Sequence, residues 1–303
     1  MRRSTAALSA LSLSVLALTG CSAAAPTFDG APCHRDSSEA LELLADVSGE
    51  FGSPRVSLDT PLRTGEVTYA DVIRGDGDRI AESDQSAILT RVLVDGRTGA
   101  TVDAQLGLWS PDSAAAELPG VDEALACATE GSRIVVSIPS SELPEGAASQ
   151  IGLGAKDHLL AVYDVRYVAL SQADGAPVFN DASGLPSVVR APDGRPGVIV
   201  PDVAAPKKAV TQALLRGEHE KVGDSVALIH STSVGWNDRS VQRTSWDGSV
   251  TGVNGLPEEV ADAVSKARIG SQLMVVVPDE AGDDATVYVV DVLGVIPDEL
   301  TQQ

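Results

Sequence analysis

Aromatic residues are scarce in this sequence. Its 303 residues include only 3 Trp, 4 Tyr and 3 Phe. Rings commonly line apolar binding pockets because each one offers a large, flat apolar surface. The sequence therefore has few ways to build a pocket from rings, and each ring that falls near a candidate site matters.

Basic residues are also in short supply. The sequence has 22 Lys and Arg against 43 Asp and Glu, which gives a formal net charge of -21. A surface with this excess of negative charge repels the phosphate backbones of DNA and RNA. We therefore predict no nucleic-acid partner and read the charge as a source of solubility.

Cysteine and histidine are too few and too scattered to predict a metal centre. The sequence has 3 Cys and no CxxC, and its 4 His lie at positions 34, 158, 219 and 230. Metal sites usually draw such ligands from short, regular spacings. No GxSxG motif accompanies the many Ser and Asp residues, so a hydrolase elbow is not indicated either. We predict neither a metal nor a cofactor.

The first 20 residues have the pattern of a signal peptide. Two arginines precede an apolar run from Ala6 to Leu18, which is too short to span a membrane as a helix. The run ends in Leu-Thr-Gly-Cys, which resembles the bacterial lipobox. We therefore predict that Cys21 is a lipid anchor on the extracytoplasmic face of the bacterial cell membrane. The alternative is an ordinary secretory leader.

The other two cysteines are Cys33 and Cys127. Outside the cytoplasm thiols tend to oxidise, so we predict a disulfide between them. Such a bond would fasten the N-terminal segment to the rest of the chain. The alternative is a buried free thiol at Cys127.

The sequence reads as one unit built twice. EGSRIVVSIP at Glu130 to Pro139 matches RIGSQLMVVVP at Arg268 to Pro278, and LLAVYDVRYV from Leu159 matches VYVVDVLGV from Val287. Solenoid repeats are only ~20 to 50 residues long, so a period of this length indicates tandem domains. We predict a tether over 21–45, a first domain over 46–170, a linker over 171–196 and a second domain over 197–297.

Each unit is predicted to contain four strands. The candidate segments are rich in Val, Ile, Leu or Tyr and are bounded by Gly, Pro, Asp or Ser, which is typical of strands. They are Val67 to Ile73, Ser86 to Leu93, Arg133 to Ile138 and Leu159 to Leu170 in the first unit, and Val210 to Leu215, Ser225 to His230, Gln272 to Val277 and Thr286 to Leu293 in the second.

One helix per unit is predicted between its second and third strands. LPEEVADAVSKA from Leu256 starts with Pro and two acidic residues and carries apolar residues at helical spacing. LPGVDEALACA from Leu118 repeats the pattern in the first unit. The predicted fold class is therefore α+β, with two tandem domains that each wrap a bent antiparallel sheet around one short helix.

The order of these segments resembles the FKBP-type peptidyl-prolyl isomerases. GDSVALIH, RTSWDG, a Pro-led helix, IGSQLMVVVP and VYVVDVLG follow one another as in that family. The match is to the two-domain lipoprotein form found outside the cytoplasm of actinobacteria, and it covers Arg55 to Val168 and Gly197 to Val295. The resemblance implies a proline pocket that needs neither a nucleophile nor a cofactor.

In the second unit, the resemblance implies that Trp246, Tyr288 and His230 are the catalytic pocket residues. The family's Phe-Asp pair falls on Gln242 and Arg243. The alternative is that Trp246 and Tyr288 are ordinary core residues and that His230 is a partly exposed strand residue. The substrate-binding residues implied for this unit are Gln242, Arg243, Leu256 and Val260.

In the first unit, the resemblance implies that Asp103 is the catalytic candidate. The alternative is that Asp103 is simply an acid in a turn. The substrate-binding residues implied for this unit are Val102, Leu118 and Val121.

Two functions follow from these residues. One is a membrane-anchored prolyl isomerase with weak residual activity at most, which assists the folding of secreted or envelope proteins. The other is a catalytically silent FKBP-like lipoprotein that binds polypeptides or acts as a scaffold. In both, the predicted partners are proline-containing polypeptides or envelope proteins, with the membrane contacted through the lipid anchor.

Overall fold

The computed structural model describes residues 25–58, 61–180, 182–248 and 250–301. The leader and the predicted lipid anchor at Cys21 lie outside the described residues. The strands and helices are β1 (Thr27–Phe28), β2 (Ala31–Pro32), α1 (Glu39–Leu44), β3 (Ala45–Ser48), β4 (Arg55–Leu58), β5 (Thr68–Ile73), β6 (Ala87–Asp95), β7 (Thr101–Trp109), α2 (Pro111–Glu117), α3 (Val121–Leu125), β8 (Arg133–Pro139), α4 (Ala147–Gln150), β9 (His158–Val168), β10 (Ala176–Pro177), β11 (Ser187–Arg190), β12 (Pro196–Ile199), β13 (Val210–Arg216), β14 (Val226–Gly235), β15 (Val241–Thr244), α5 (Glu258–Lys266), β16 (Gln272–Pro278), β17 (Ala285–Ile296) and α6 (Asp298–Thr301).

Two large antiparallel sheets contain all eight predicted strands. The first sheet has the strand order β5-β8-β9-β6-β7, and the second sheet has the order β10-β13-β16-β17-β14-β15. Apart from the added edge strand β10, the two orders match strand for strand. The repeat in the sequence is therefore also a repeat in topology.

The central strands are mostly apolar, and both of their faces are covered. All 9 residues of β6 are buried, and β6 lies between β9 and β7. The edge strand β7 is mostly exposed or half-buried, so one of its faces meets solvent. Near-continuous apolar runs are typical of strands covered on both sides.

The predicted fold class is wrong. The described part of the chain is mostly β-structure in five sheets, and two domains with one helix each are not evident. Between β7 and β8 the chain forms two helices, α2 and α3, whereas α5 is the helix between β15 and β16. None of the described helices is long and apolar enough to cross a membrane.

The extra helix α2 has a local cause. The Ser110 side chain accepts a hydrogen bond from the Ser113 backbone N–H, and the Ser113 side chain accepts one from the Ser110 backbone, which is a capping box. Pro111 at the first helical turn has no N–H to leave unsatisfied. Pro119 and Gly120 then separate α2 from α3, and Gly120 has a φ of 76°. The helix predicted from Leu118 is therefore present as α3, and α2 is an additional short helix before it.

A disulfide joins Cys33 to Cys127 across 94 positions of sequence, with their Cα atoms 5.8 Å apart. Cys127 is 3% exposed and directly follows the buried end of α3. The free-thiol alternative at Cys127 is therefore not the state of this structure. The bond attaches the segment before α1 to the core under the first sheet.

The two large sheets share a small apolar cluster. Ile88 of β6, Leu228 of β14 and Leu293 of β17 are buried together. The Leu170 backbone N–H donates to the Leu293 carbonyl at 2.9 Å. The segment that leaves β9 is thus hydrogen-bonded to β17 of the second sheet.

Candidate functional site

A cleft of about 240 Å³ opens on one face of the second sheet. We call it the second cleft. A neighbouring depression of about 340 Å³ shares Ser231, Arg243 and Leu256 with it. The second cleft is lined by Ser231, Ser233, Gln242, Arg243, Gly255, Leu256 and Tyr288.

Three lining residues form one row across the sheet. Ser233 of β14 lies opposite Arg243 of β15 on one side and opposite Tyr288 of β17 on the other. Residues directly opposite in antiparallel strands point to the same face, so the three side chains lie side by side. Burial raises the pKa of the Tyr288 phenol, and the positive charge of Arg243 partly opposes that rise. The structure thus brings together Gln242, Arg243, Leu256 and Tyr288 from the predicted site.

His230 and Trp246 form a separate pair. Their rings stack with centroids 4.5 Å apart and an angle of 27° between the planes. Side chains alternate along a strand, so His230 lies on the face of β14 opposite Ser231 and Ser233. Neither ring is among the described residues that line the second cleft.

Burial, and secondarily the charge of Arg195, lower the pKa of His230 to about 4. His230 is therefore neutral at pH 7. Its Nδ1 lies 3.0 Å from the Ser245 hydroxyl oxygen. Arg195 also donates to the Trp246 carbonyl at 2.7 Å, so the turn between β11 and β12 covers this pair. These contacts fix the segment that follows β15 and hold the two rings outside the second cleft.

Val260 supports the cleft from below. It is fully buried on α5, in the apolar cluster that also contains Ile229 and Val290. Leu256 and Tyr288 pack against the same cluster while they line the cleft. The floor beneath the cleft is therefore aliphatic, with no ring at the α5 position.

The corresponding place in the first sheet is filled. Leu93 lies opposite Asp103 and Ala161, just as Ser233 lies opposite Arg243 and Tyr288. Two residues earlier, Arg91 therefore stands where Ser231 stands in the second sheet. A large cation thus replaces a small hydroxyl at the position that leaves the second cleft open.

The Arg91 side chain occupies that space and is held there by several contacts. It is 6% exposed, and its guanidinium donates to Glu117 and, at 3.2 Å, to Gln105. It also lies 5.1 Å from the centre of the Trp109 ring. We call this place the first cleft, because it corresponds to the second cleft, although the Arg91 side chain fills it. The position of the Arg91 side chain could not be predicted from the sequence, because it depends on which residues face Arg91 across the sheet.

Glu117 enters the first cleft from the end of α2. Its carboxylate accepts hydrogen bonds from Arg91 and, at 3.0 Å, from the Trp109 indole N–H. Burial opposes ionisation, but these two hydrogen bonds outweigh it and hold the pKa of Glu117 below its usual value. The carboxylate of Glu117 therefore supplies a negative charge to the first cleft.

The residues predicted for the first site are dispersed around this arrangement. Asp103 has an oxygen 3.5 Å from Arg91 and belongs to the same charge cluster. Leu118 and Val121 are buried in the core, and Val102 is 36% exposed on β7. In the first sheet this place is therefore occupied by the side chains of Arg91 and Glu117.

Histidine, cysteine and acidic side chains do not gather elsewhere into a metal centre. Within the described residues, no three of them lie close enough together to hold a metal ion. The chemistry available at the second cleft is hydrogen bonding by hydroxyl, amide and guanidinium groups beside a small apolar surface.

No family model and no curated protein matches this sequence. Solved structures similar to the chain include multi-domain FKBP proteins. The three FKBP domains of wheat FKBP73 are 11% identical with a TM-score of 0.34, over 77% of this chain and 96% of that one. A multi-domain immunophilin from Arabidopsis thaliana is 14% identical with a TM-score of 0.30, over 45% of this chain and 51% of that one. At these scores the similarities carry no argument, and the case for a function rests on the second cleft.

Proposed function

We propose that this chain is an FKBP-type protein that holds a proline-containing polypeptide segment in the second cleft and accelerates rotation of its Xaa-Pro bond weakly at most. The observation that carries the proposal is the open cleft over Leu256 and Tyr288, at a place that Arg91 fills in the first sheet. Prolyl isomerisation crosses a barrier of ~18–20 kcal/mol without covalent chemistry. The hydrogen-bonding groups beside Leu256 and Tyr288 suit a reaction of that kind.

The lining residues explain why the proposed activity is weak. Isomerases of this kind favour the twisted amide by removing it from water and placing hydrogen-bond donors around it. Ser231, Gln242 and Arg243 keep water near one side of the second cleft, since each is polar. Tyr288 is the one ring among the described lining residues, so the apolar surface that a proline could bury is small.

A second candidate is a polypeptide-binding protein with no catalytic activity. The polar row of Arg243 and Ser233 beside Tyr288 favours it, because such a row suits recognition of a peptide better than desolvation of an amide. In this case, the segment would bind and its Xaa-Pro bond would rotate at the uncatalysed rate.

We place the protein on the extracytoplasmic face of the cell membrane, held by a lipid on Cys21. The apolar leader that ends in Leu-Thr-Gly-Cys supports this location. The Cys33–Cys127 disulfide is consistent with it, since disulfides persist mainly in oxidising compartments. The clients would then be proline-containing segments of secreted or envelope proteins.

The test uses the full chain and an NMR exchange measurement on a proline tetrapeptide, which reports both binding and the isomerisation rate. Ser231→Arg places in the second cleft the side chain that fills the first one, and we expect it to abolish both signals. Ser187→Arg is the matched control because Ser187 is exposed on β11, outside the cleft. Binding without acceleration in the wild-type chain would establish the second candidate. Unchanged binding in Ser231→Arg would refute the site.

A further inference from the structure

Arg243 is a cation that forms no ion pair with any described residue. It is exposed on β15 and lines the second cleft, and no described Asp or Glu lies within ion-pair distance of it. Asp247 lines the adjoining depression and is close to Arg243 in the sequence. Its carboxylate is already paired with Arg195 at 2.6 Å. Glu259 acts on the Tyr288 phenol through its charge, without an ion pair to Arg243. An unpaired arginine is notable in a chain of net charge -21.

The first cleft shows what such a cation holds when the chain supplies a partner. There the carboxylate of Glu117 sits between the guanidinium of Arg91 and the indole N–H of Trp109. Glu117 is delivered by α2, which follows directly after β7. After β15 the chain instead runs without a described helix until α5 begins at Glu258. The second cleft therefore has an arginine, at the position of Asp103 rather than at that of Arg91, but no described helix brings a carboxylate to it.

Resting on the proposed function, we infer that the second cleft recognises a carboxylate on the bound polypeptide, and that Arg243 is the residue that selects it. A guanidinium presents a planar set of N–H donors that matches the two oxygens of a carboxylate. The hydroxyls of Ser231 and Ser233 and the amide of Gln242 supply further donors beside it. The polypeptide would thus contribute the group that Glu117 contributes in the first cleft.

The carboxylate could belong to an Asp or Glu side chain or to a chain terminus, and three probe peptides distinguish these sources. They are acetyl-Ala-Glu-Pro-Ala-amide, its Gln analogue, and acetyl-Ala-Gln-Pro-Ala with a free carboxylate. We expect the full chain to bind at least one carboxylate peptide about tenfold more tightly than the neutral one at low salt, as measured by NMR titration. That factor corresponds to one charge-assisted hydrogen bond.

Two arginine variants test whether Arg243 is responsible. Arg243→Gln is expected to bring the affinities for the carboxylate and neutral peptides to the same value, whatever its effect on binding as a whole. Arg239→Gln is the matched control, because Arg239 is exposed on the turn before β15 and pairs with Asp202 at 2.9 Å. It is expected to keep the full tenfold preference. Arg243→Glu is expected to reverse the preference towards a Lys peptide.

The outcomes separate this inference from the proposed function. Equal affinity of the wild-type chain for all three peptides, with binding still lost in Ser231→Arg, overturns the carboxylate preference alone. A preference that survives in Arg243→Gln also overturns it. Failure of the wild-type chain to bind any of the peptides overturns both proposals.

Discussion

Arg133 and Asp164 form a fully buried ion pair between β8 and β9, with the Arg133 Nε 2.6 Å from an Asp164 oxygen. Gln272 and Asp291 face each other at the same position of the second sheet, with the Gln272 amide 2.7 Å from Asp291. In each sheet the Asp also accepts a backbone N–H from the segment that precedes that sheet, Gly52 for Asp164 and Ala173 for Asp291. One carboxylate per sheet thus binds the segment that leads into that sheet, and its partner on the neighbouring strand is charged in the first sheet and neutral in the second.

Replacement of Asp164 by Asn is expected to be strongly destabilising. It would leave the guanidinium of Arg133, which is 1% exposed, buried without a counter-charge. Loss of one member of a buried pair typically costs about 3–5 kcal/mol. The free energy of unfolding in urea measures the loss. The double variant Arg133→Gln/Asp164→Asn recreates a neutral pair and should recover part of it. A double variant as unstable as the sum of two single variants would show that the pair is not coupled.

Replacement of Asp291 by Asn, unlike that of Asp164, is expected to raise stability relative to the wild-type chain as the pH rises. Burial raises the pKa of Asp291, although the Ala173 N–H, Gln272 and Arg190 favour its charged form. The folded state therefore binds this proton more tightly than the unfolded state does, and wild-type stability falls as pH rises from about 4 through the raised pKa. Asp291→Asn cannot ionise, so its stability relative to wild type should increase over that range. Thermal melting from pH 4 to pH 7 measures the difference, and a relative stability independent of pH would contradict the prediction.

The stacked pair of His230 and Trp246 predicts acid sensitivity. The pKa of His230 is lowered to about 4, so the unfolded state binds this proton more tightly than the folded state. Stability is then fully present above the usual pKa of about 6.5 and is lost as pH falls to about 4, by up to about 3 kcal/mol. His230→Phe keeps a ring against Trp246 and removes the titration. Chemical unfolding at pH 4, 5 and 7 should show a smaller loss in this variant than in the wild-type chain, and equal losses would refute the assignment.

Removal of the disulfide is expected to weaken the fold without changing the second cleft. The bond closes a loop of 94 positions, and loss of such a bond typically costs about 2–5 kcal/mol. The Cys33→Ser/Cys127→Ser variant should unfold at lower urea concentration and should still bind a proline peptide in its folded state. Binding that is lost while the variant remains folded would connect the disulfide to the site, contrary to this prediction.

The strands were predictable from the sequence because their apolar content is high enough to outweigh other signals. β6 (AILTRVLVD) and β8 (RIVVSIP) are rich in Val, Ile and Leu despite their internal polar residues, and the structure has strands in both places. The helices were less predictable. α2 is a short, Ala-rich segment with little amphipathic pattern, and it depends on the local capping by Ser110. The apolar pattern from Leu118 did predict α3, but it does not extend to the segment that forms α2.

The site was predictable only in part, because its residues are assembled by pairing between strands. Tyr288, Arg243 and Leu256 were found through the family resemblance, and they line the second cleft. Ser231 and Arg91 were missed, since their roles follow from the residues that face them across the sheet. The position of His230 could have been anticipated, because alternation along β14 puts it on the face opposite Ser231.

The disulfide has a mechanical consequence. A force that pulls on the chain at its N-terminal side reaches Cys33 and passes through the covalent bond to Cys127, at the end of α3. The segment between these cysteines, which includes β5, β6 and the filled first cleft, is bypassed by that load. The strands β5, β6 and β7 are therefore protected from unravelling when the N-terminal side is pulled, whereas β8 and β9, which follow Cys127, still carry the load, and reduction of the one disulfide removes this protection.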